Sequence, residues 1–154
     1  MTGPIEKRLA DLGIVLPSPA APAANYMPYV VSGLHLYISG QLPSDAAGAL
    51  LKGRCGETLS VEEGQKAARL CAINLLAQAK AATGDLGRIA RLVKLTGFVN
   101  STPDFTDQPK VINGASDLMV EALGDKGRHA RSAVGVAALP LGVAVEIEAI
   151  FELA

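Results

Sequence analysis

Residues 131–150, RSAVGVAALPLGVAVEIEAI, hold three charged side chains in the most apolar part of the chain. Arg131 carries a planar fork of donors that suits a carboxylate or phosphate. Glu146, Glu148 and Glu152 are read onto one face of a closing strand, and Val145, Ile147 and Ile150 onto the other. A carboxylate beside an apolar wall resists ionisation, so it can hold a water or pass a proton. Pattern alone favours plainer roles. Arg131 would be a solvated strand end or an intersubunit ion pair, and the glutamates the polar face of a half-buried strand.

Other candidates are weaker. Ser39-Gly40-Gln41 follows LYI, and a Ser-Gly at a strand end either presents a hydroxyl and bare amides to an anion or forms a bulge. His35 reads as a turn or strand residue and His129 as part of the polar loop GDKGRHA. Two histidines without cysteine partners do not make a zinc site, and no Ser/His/Asp set is legible. GDLG and GDKG lack the Lys-Ser/Thr ending of a phosphate loop and read as turns. Cys71 reads as a small buried side chain and Cys55 as a loop thiol, with no disulfide framework.

These residues need elements to position them. IEKRLADL (5–12) places Ile5, Leu9 and Leu12 on one helical face, and Gly13 stops it. Residues 15–23 form a Pro/Ala-rich connector. YVVSG and LYISGQL predict two short strands turning at Ser32-Gly33, and 43–57 predicts a loop. Ser60 and Glu63 form a capping box that opens a helix running to Gly84, with Ala67, Ala68, Cys71, Leu75 and Ala79 as its buried stripe. A strand follows over 88–100, with Val93, Leu95 and Val99 on one face and Lys94, Thr96 and Asn100 on the other. A second helix, 109–123, buries Val111, Ala115, Leu118, Met119 and Ala122. Two strands, 133–139 and 143–152, close the chain as a hairpin through LPLG. The order β-β-α-β-α-β-β predicts an α+β fold, with both main helices on one face of a mixed sheet.

The chain has 154 residues, 49% of them apolar and 19% charged, enough to build the core of a single domain, 1–154, that includes a short N-terminal helical extension over about 1–20. Aromatic residues are only 4% and Trp is absent, so that core rests on small aliphatic side chains. The second sheet face, expected to carry much of the apolar set in 133–145, has no third long helix to cover it; another subunit is the simplest cover. The formal net charge of −1 and the lack of a basic block argue against nucleic-acid binding. The N-terminus is charged and no run nears the roughly 20 apolar residues of a spanning helix, so no membrane association and a cytoplasmic location are expected.

Taken together, APAANYMPYV, LYISGQLP, GFVNSTPDF and ARSAVGVAALPLGVAVEIEAI resemble the Rid/YjgF family of small trimeric enamine/imine deaminases, over about residues 20–152. The resemblance implies a chorismate-mutase-like fold, a homotrimer, active sites in clefts between subunits, and no cofactor or metal. It implies that Arg131 binds a substrate carboxylate and Glu146 orients the attacking water. Tyr29, Ser39, Gly40 and Asn113 would line the pocket, Asn113 as the weaker match. Ala133 stands where the family frequently has a cysteine, which removes a thiol from that pocket. The implied reaction is hydrolysis of a reactive 2-imine to a 2-oxo acid and ammonia. A non-catalytic trimer that binds small carboxylates or partner proteins stays open, as does the ribonuclease of the family's older label. Glu148 keeps its structural reading.

Overall fold

The computed structural model describes residues 3–19 and 25–154, so 20–23 of the predicted connector lie outside the described residues. The chain runs α1 (Pro4–Asp11), β1 (Tyr29–Ser32), β2 (His35–Gln41), α2 (Val61–Thr83), β3 (Ile89–Asn100), α3 (Gln108–Leu123), β4 (Ala130–Val136) and β5 (Val145–Leu153). GDKG forms a short 3-10 turn, Gly124–Gly127, and GDLG bridges the end of α2 and a second such turn, Leu86–Arg88. The five strands form one mixed sheet in the order β1-β2-β5-β3-β4. All pairs are antiparallel except β3 with β4, which run parallel around the crossover helix α3.

The two long helices pack on one sheet face. α2 opens at the predicted capping box, where the Glu63 amide donates to Ser60 Oγ and the Ser60 amide donates to the Glu63 carboxylate. Gly84 closes it in the left-handed conformation. Its stripe of Ala67, Ala68, Cys71, Leu75 and Ala79 is buried, as is the α3 stripe of Val111, Ala115, Leu118, Met119 and Ala122. Small residues let the helices approach until the α-carbon of Gly114 faces the Gln65 carbonyl with no room for a β-carbon. α1 buries Ile5 and Leu9 and is tied down by Glu6, which pairs with Lys80 at 3.0 Å and accepts from the Leu86 amide.

The closing segment departs from the predicted hairpin. β4 begins at Ala130, not at 133, and β5 begins at Val145, not at 143. They are not neighbours, because β3 lies between them. The reason is burial. β5 buries Val145, Ile147, Ala149, Phe151 and Leu153 and takes a central position, paired on both sides. β4 leaves Ala130, Ser132 and Val134 exposed and takes the edge.

The strict alternation assumed for β5 puts Ile150 with the glutamates, not with Val145 and Ile147. It is half-buried on the open face between Tyr37 and Lys94. In β3 a register shift between Leu92 and Lys94 breaks the period, so Leu92 is buried and Val93 is not. Four cross-strand rows make up the open face: Ser32–His35–Glu152–Arg91, Val30–Tyr37–Ile150–Lys94–Ala130, Glu148–Thr96–Ser132 and Glu146–Phe98–Val134. Val30, Tyr37 and Val134 are exposed there. Of the set 133–145 expected on this face, Ala133 instead packs toward the core and Val143, Ala144 and Val145 are buried. Among the described residues, no helix is long and apolar enough to cross a membrane.

Candidate active site

Glu146 lies opposite Phe98 and is half-buried on the open face. Its other neighbour comes from a bulge. Between the pairs Ile38–Ala149 and Gln41–Ile147, β2 has two residues, Ser39 and Gly40, where β5 has one. Gly40 backs directly onto the Glu146 side chain, and a β-carbon there would collide with the carboxylate. Ser39 fastens the preceding segment, its hydroxyl donating to the Met27 carbonyl at 2.9 Å and its amide to the Pro28 carbonyl at 2.9 Å. Gln41 folds back so that its Nε2 donates to the Ser39 carbonyl at 3.0 Å. Tyr29 pairs with Ile38 at the sheet's outer edge and packs half-buried against the core.

Burial is the main force on the Glu146 carboxyl, raising it above its ordinary 4.5, and the charge of Glu148 adds to this. The native chain therefore binds this proton more tightly than the unfolded chain does. The associated stability is fully present below about 4.5 and is lost as pH rises through the higher folded value. Glu146→Gln, which cannot ionise, should raise Tm at pH 7 relative to the parent chain, and the gain should vanish in melts below pH 4.5. An unchanged or lower Tm at pH 7 would contradict the raised value.

Arg131 sits elsewhere. Its strand partner is Leu95, which places it on the helix side. There its Nη1 donates to Asn113 Oδ1 at 2.8 Å and to Ser116 Oγ at 3.2 Å, both on α3. Ala133 follows on the same side opposite Gly97, and its small side chain packs toward the core. Ser116 Oγ is 2.9 Å from His129 Nε2, and His129 Nδ1 is 2.6 Å from the Gly127 carbonyl. Arg131, Asn113, Ser116, Val120, Arg128 and His129 line a shallow cleft of about 290 Å³ with no carboxylate in it. Burial pushes the His129 imidazole below its ordinary value; the Gly127 hydrogen bond opposes this and the Arg131 charge adds to it.

The predicted residues thus form two groups. Glu146, Gly40 and Ser39 gather where β2 meets β5, whereas Tyr29, on β1 beyond β2 and paired with buried Ile38, projects from the opposite, helix-side face. Arg131, Asn113 and Ala133 gather at the β4 edge under α3. Within one chain Arg131 and Glu146 do not adjoin, since β3 separates their strands and they project from opposite faces. Ser116 and His129 were missed as partners of Arg131. The signal was spacing: His129 stands two residues before Arg131, and Asn113 and Ser116 stand three apart on one helix. Cys55 and Cys71 are both buried, Cys55 within a loop, and burial raises both thiols. Among the described residues, no group of three or more His, Cys, Asp or Glu could hold a metal ion.

A mixed five-stranded sheet backed by two helices, with an arginine cleft at one edge and a glutamate at a β-bulge, defines a chorismate-mutase-like chain. The family model described as "YjgF/chorismate_mutase-like, putative endoribonuclease" matches residues 6–153, and the chain belongs to this YjgF/RutC family. It is 54% identical to Protein TCP17 of Trypanosoma cruzi, over 99% of this chain and 96% of that one. Its structure is similar to that of Atu1372 from Agrobacterium tumefaciens, a protein of unknown function, with a TM-score of 0.91 and 51% identity over 97% of this chain and 92% of that one. It is also similar to E. coli TdcF with bound serine, with a TM-score of 0.64 and 28% identity over 89% of this chain and 94% of that one.

Proposed function

We propose that this chain forms a homotrimer in the cytoplasm and hydrolyses small 2-imino acids, and the 2-enamino acids that tautomerise to them, to 2-oxo acids and ammonia. The observation that carries the reading is the division of the site. One sheet edge, β4, presents Arg131, while the region beside the other edge, β1–β2, presents Gly40 and Glu146. A head-to-tail ring that sets the β4 edge of one copy against the β1–β2 region of the next closes both groups around one cleft. The same contact covers exposed Val30 and Val134.

In that cleft Arg131 holds the substrate carboxylate through paired charge-assisted hydrogen bonds. Glu146 orients a water against the imine carbon and takes one of its protons as the carbon–oxygen bond forms. That proton passes to the nitrogen to give a carbinolamine; the hydroxyl proton then moves through Glu146 to the same nitrogen as the carbon–oxygen double bond forms, the carbon–nitrogen bond breaks, and ammonia leaves the 2-oxo acid. The raised carboxyl of Glu146 suits a group that must both accept and return a proton. TdcF, a relative with serine bound, supports an amino-acid-sized carboxylate as ligand.

The test generates imines in situ with an amino-acid oxidase and follows 2-oxo acid release. Substoichiometric protein should speed release, and no acceleration across a panel of amino acids would overturn the reading. One observation favours a second reading, binding of small carboxylates without turnover: within one chain the Arg131 cleft holds cationic and neutral donors and no carboxylate to orient a water. That reading predicts saturable heat on titration with 2-oxobutanoate and no rate effect. A ribonuclease has less support, given the formal net charge of −1 and the lack of a basic block.

A further inference from the structure

We propose that Ser116 and His129 are positioning residues that aim Arg131 by fixing which of its donors stay free for a carboxylate. The assignment rests on the carboxylate-binding part of the function proposed above. The Gly127 carbonyl can only accept, so His129 Nδ1, 2.6 Å away, carries the proton of the neutral ring. His129 Nε2 is then a bare acceptor, and the Ser116 hydroxyl, 2.9 Å away, donates its single proton there. This leaves the Ser116 lone pairs to accept from Arg131 Nη1 at 3.2 Å. The second Nη1 proton goes to Asn113 Oδ1 at 2.8 Å.

Both protons of Nη1 are thereby engaged, while Nε and Nη2 have no hydrogen-bond partner among the described residues. The parallel Nε–H and Nη2–H form the side-on edge of the guanidinium, the geometry that a planar carboxylate meets with both oxygens. Ser116 and His129 are thus not nucleophile and base here. They form a chain of fixed polarity, from Arg131 through Ser116 and His129 to the Gly127 carbonyl.

The charged groups that face His129 are Arg131 on β4 and Arg128 in the turn before it; α3 contributes the uncharged Asn113, Ser116 and Val120. Burial and the Arg131 charge keep the imidazole neutral. A carboxylate seated on Arg131 offsets that charge, so by linkage ligand binding must raise the His129 titration point.

The test uses the full chain and 2-oxobutanoate as the probe, with calorimetry for affinity and proton NMR of the His129 ring for titration. Ser116→Ala should bind the probe about tenfold more weakly, and Ser116→Thr, which keeps the hydroxyl, should stay within about twofold of the parent. Saturating probe should move the His129 titration upward in the parent chain and leave it unmoved in Arg131→Ala. Parent-like affinity in Ser116→Ala, a Thr variant no better than the Ala variant, or a parent chain that fails to bind the probe overturns the assignment. The two proposals fail separately. Binding and titration as stated, without imine hydrolysis, would sink the deaminase and leave the positioning role standing. Hydrolysis with an unchanged KM in Ser116→Ala would do the reverse.

Discussion

Arg131→Ala should lower kcat/KM for imine hydrolysis by about 100-fold, through loss of two hydrogen bonds from a charged donor worth about 1.5 kcal/mol or more each. Most of the loss should fall on KM, because the carboxylate is held alike before and during the reaction. Thermal stability should barely move. Arg131 is half-exposed on an edge strand, and water can take over its bonds to Asn113 and Ser116. Arg131→Lys should fall between, since an ammonium keeps the charge and loses the fork. Parent-like kinetics for imines in Arg131→Ala, measured with the oxidase-coupled assay, would remove this residue from the mechanism.

Gly40→Ala should be nearly as damaging without touching a reacting group. The added β-carbon would lie 2.9 Å from Glu146 Cδ and closer still to its Oε2, so the carboxylate must swing away. Displacing a water-positioning group by about 1 Å costs on the order of 100-fold, here in kcat rather than KM. The neighbouring strand offers little give, because Glu146 is bracketed by Phe98 across β3. Stability should change little, because the added carbon meets only the flexible, half-buried Glu146 side chain. A Gly40→Ala chain with unchanged kcat would show that Glu146 need not stand where it does. The KM–kcat split between the two variants separates a residue that binds from one that orients water.

Much of this architecture can be read from short-range chemistry. The capping box at Ser60 and Glu63, the alanine stripe of α2 and the Gly84 stop are local signals, and α2 spans Val61–Thr83 as they require. The closing segment is different. Whether β4 and β5 pair with each other or flank β3 is decided by competition for the centre of the sheet, and no local motif reports that. The positions of Ile150 and Val93 follow from register, which a bulge resets by one residue.

The site was legible as residue types but not as geometry. Arg131 and Glu146 stand out as charges in an apolar run, yet nothing in the run tells that they leave the sheet on opposite faces. The parity of β4 could have shown Arg131 facing α3, had its start been placed at Ala130 rather than 133. Ser116 needed the pairing of β4 with β3 before its i+3 relation to Asn113 carried meaning.

The central claim, one site assembled from two chains, is tested most directly by mixing two impaired variants. Arg131→Ala and Glu146→Gln chains, each strongly impaired at imine concentrations well below the parent KM, are co-refolded in equal amounts and assayed for hydrolysis under that condition. In a head-to-tail trimer every mixed ring contains one interface with both parent residues, so activity should return to about a quarter of the parent rate. If Arg131 and Glu146 acted within a single chain, or had no part in the reaction, mixing would restore nothing beyond the sum of the separate variants.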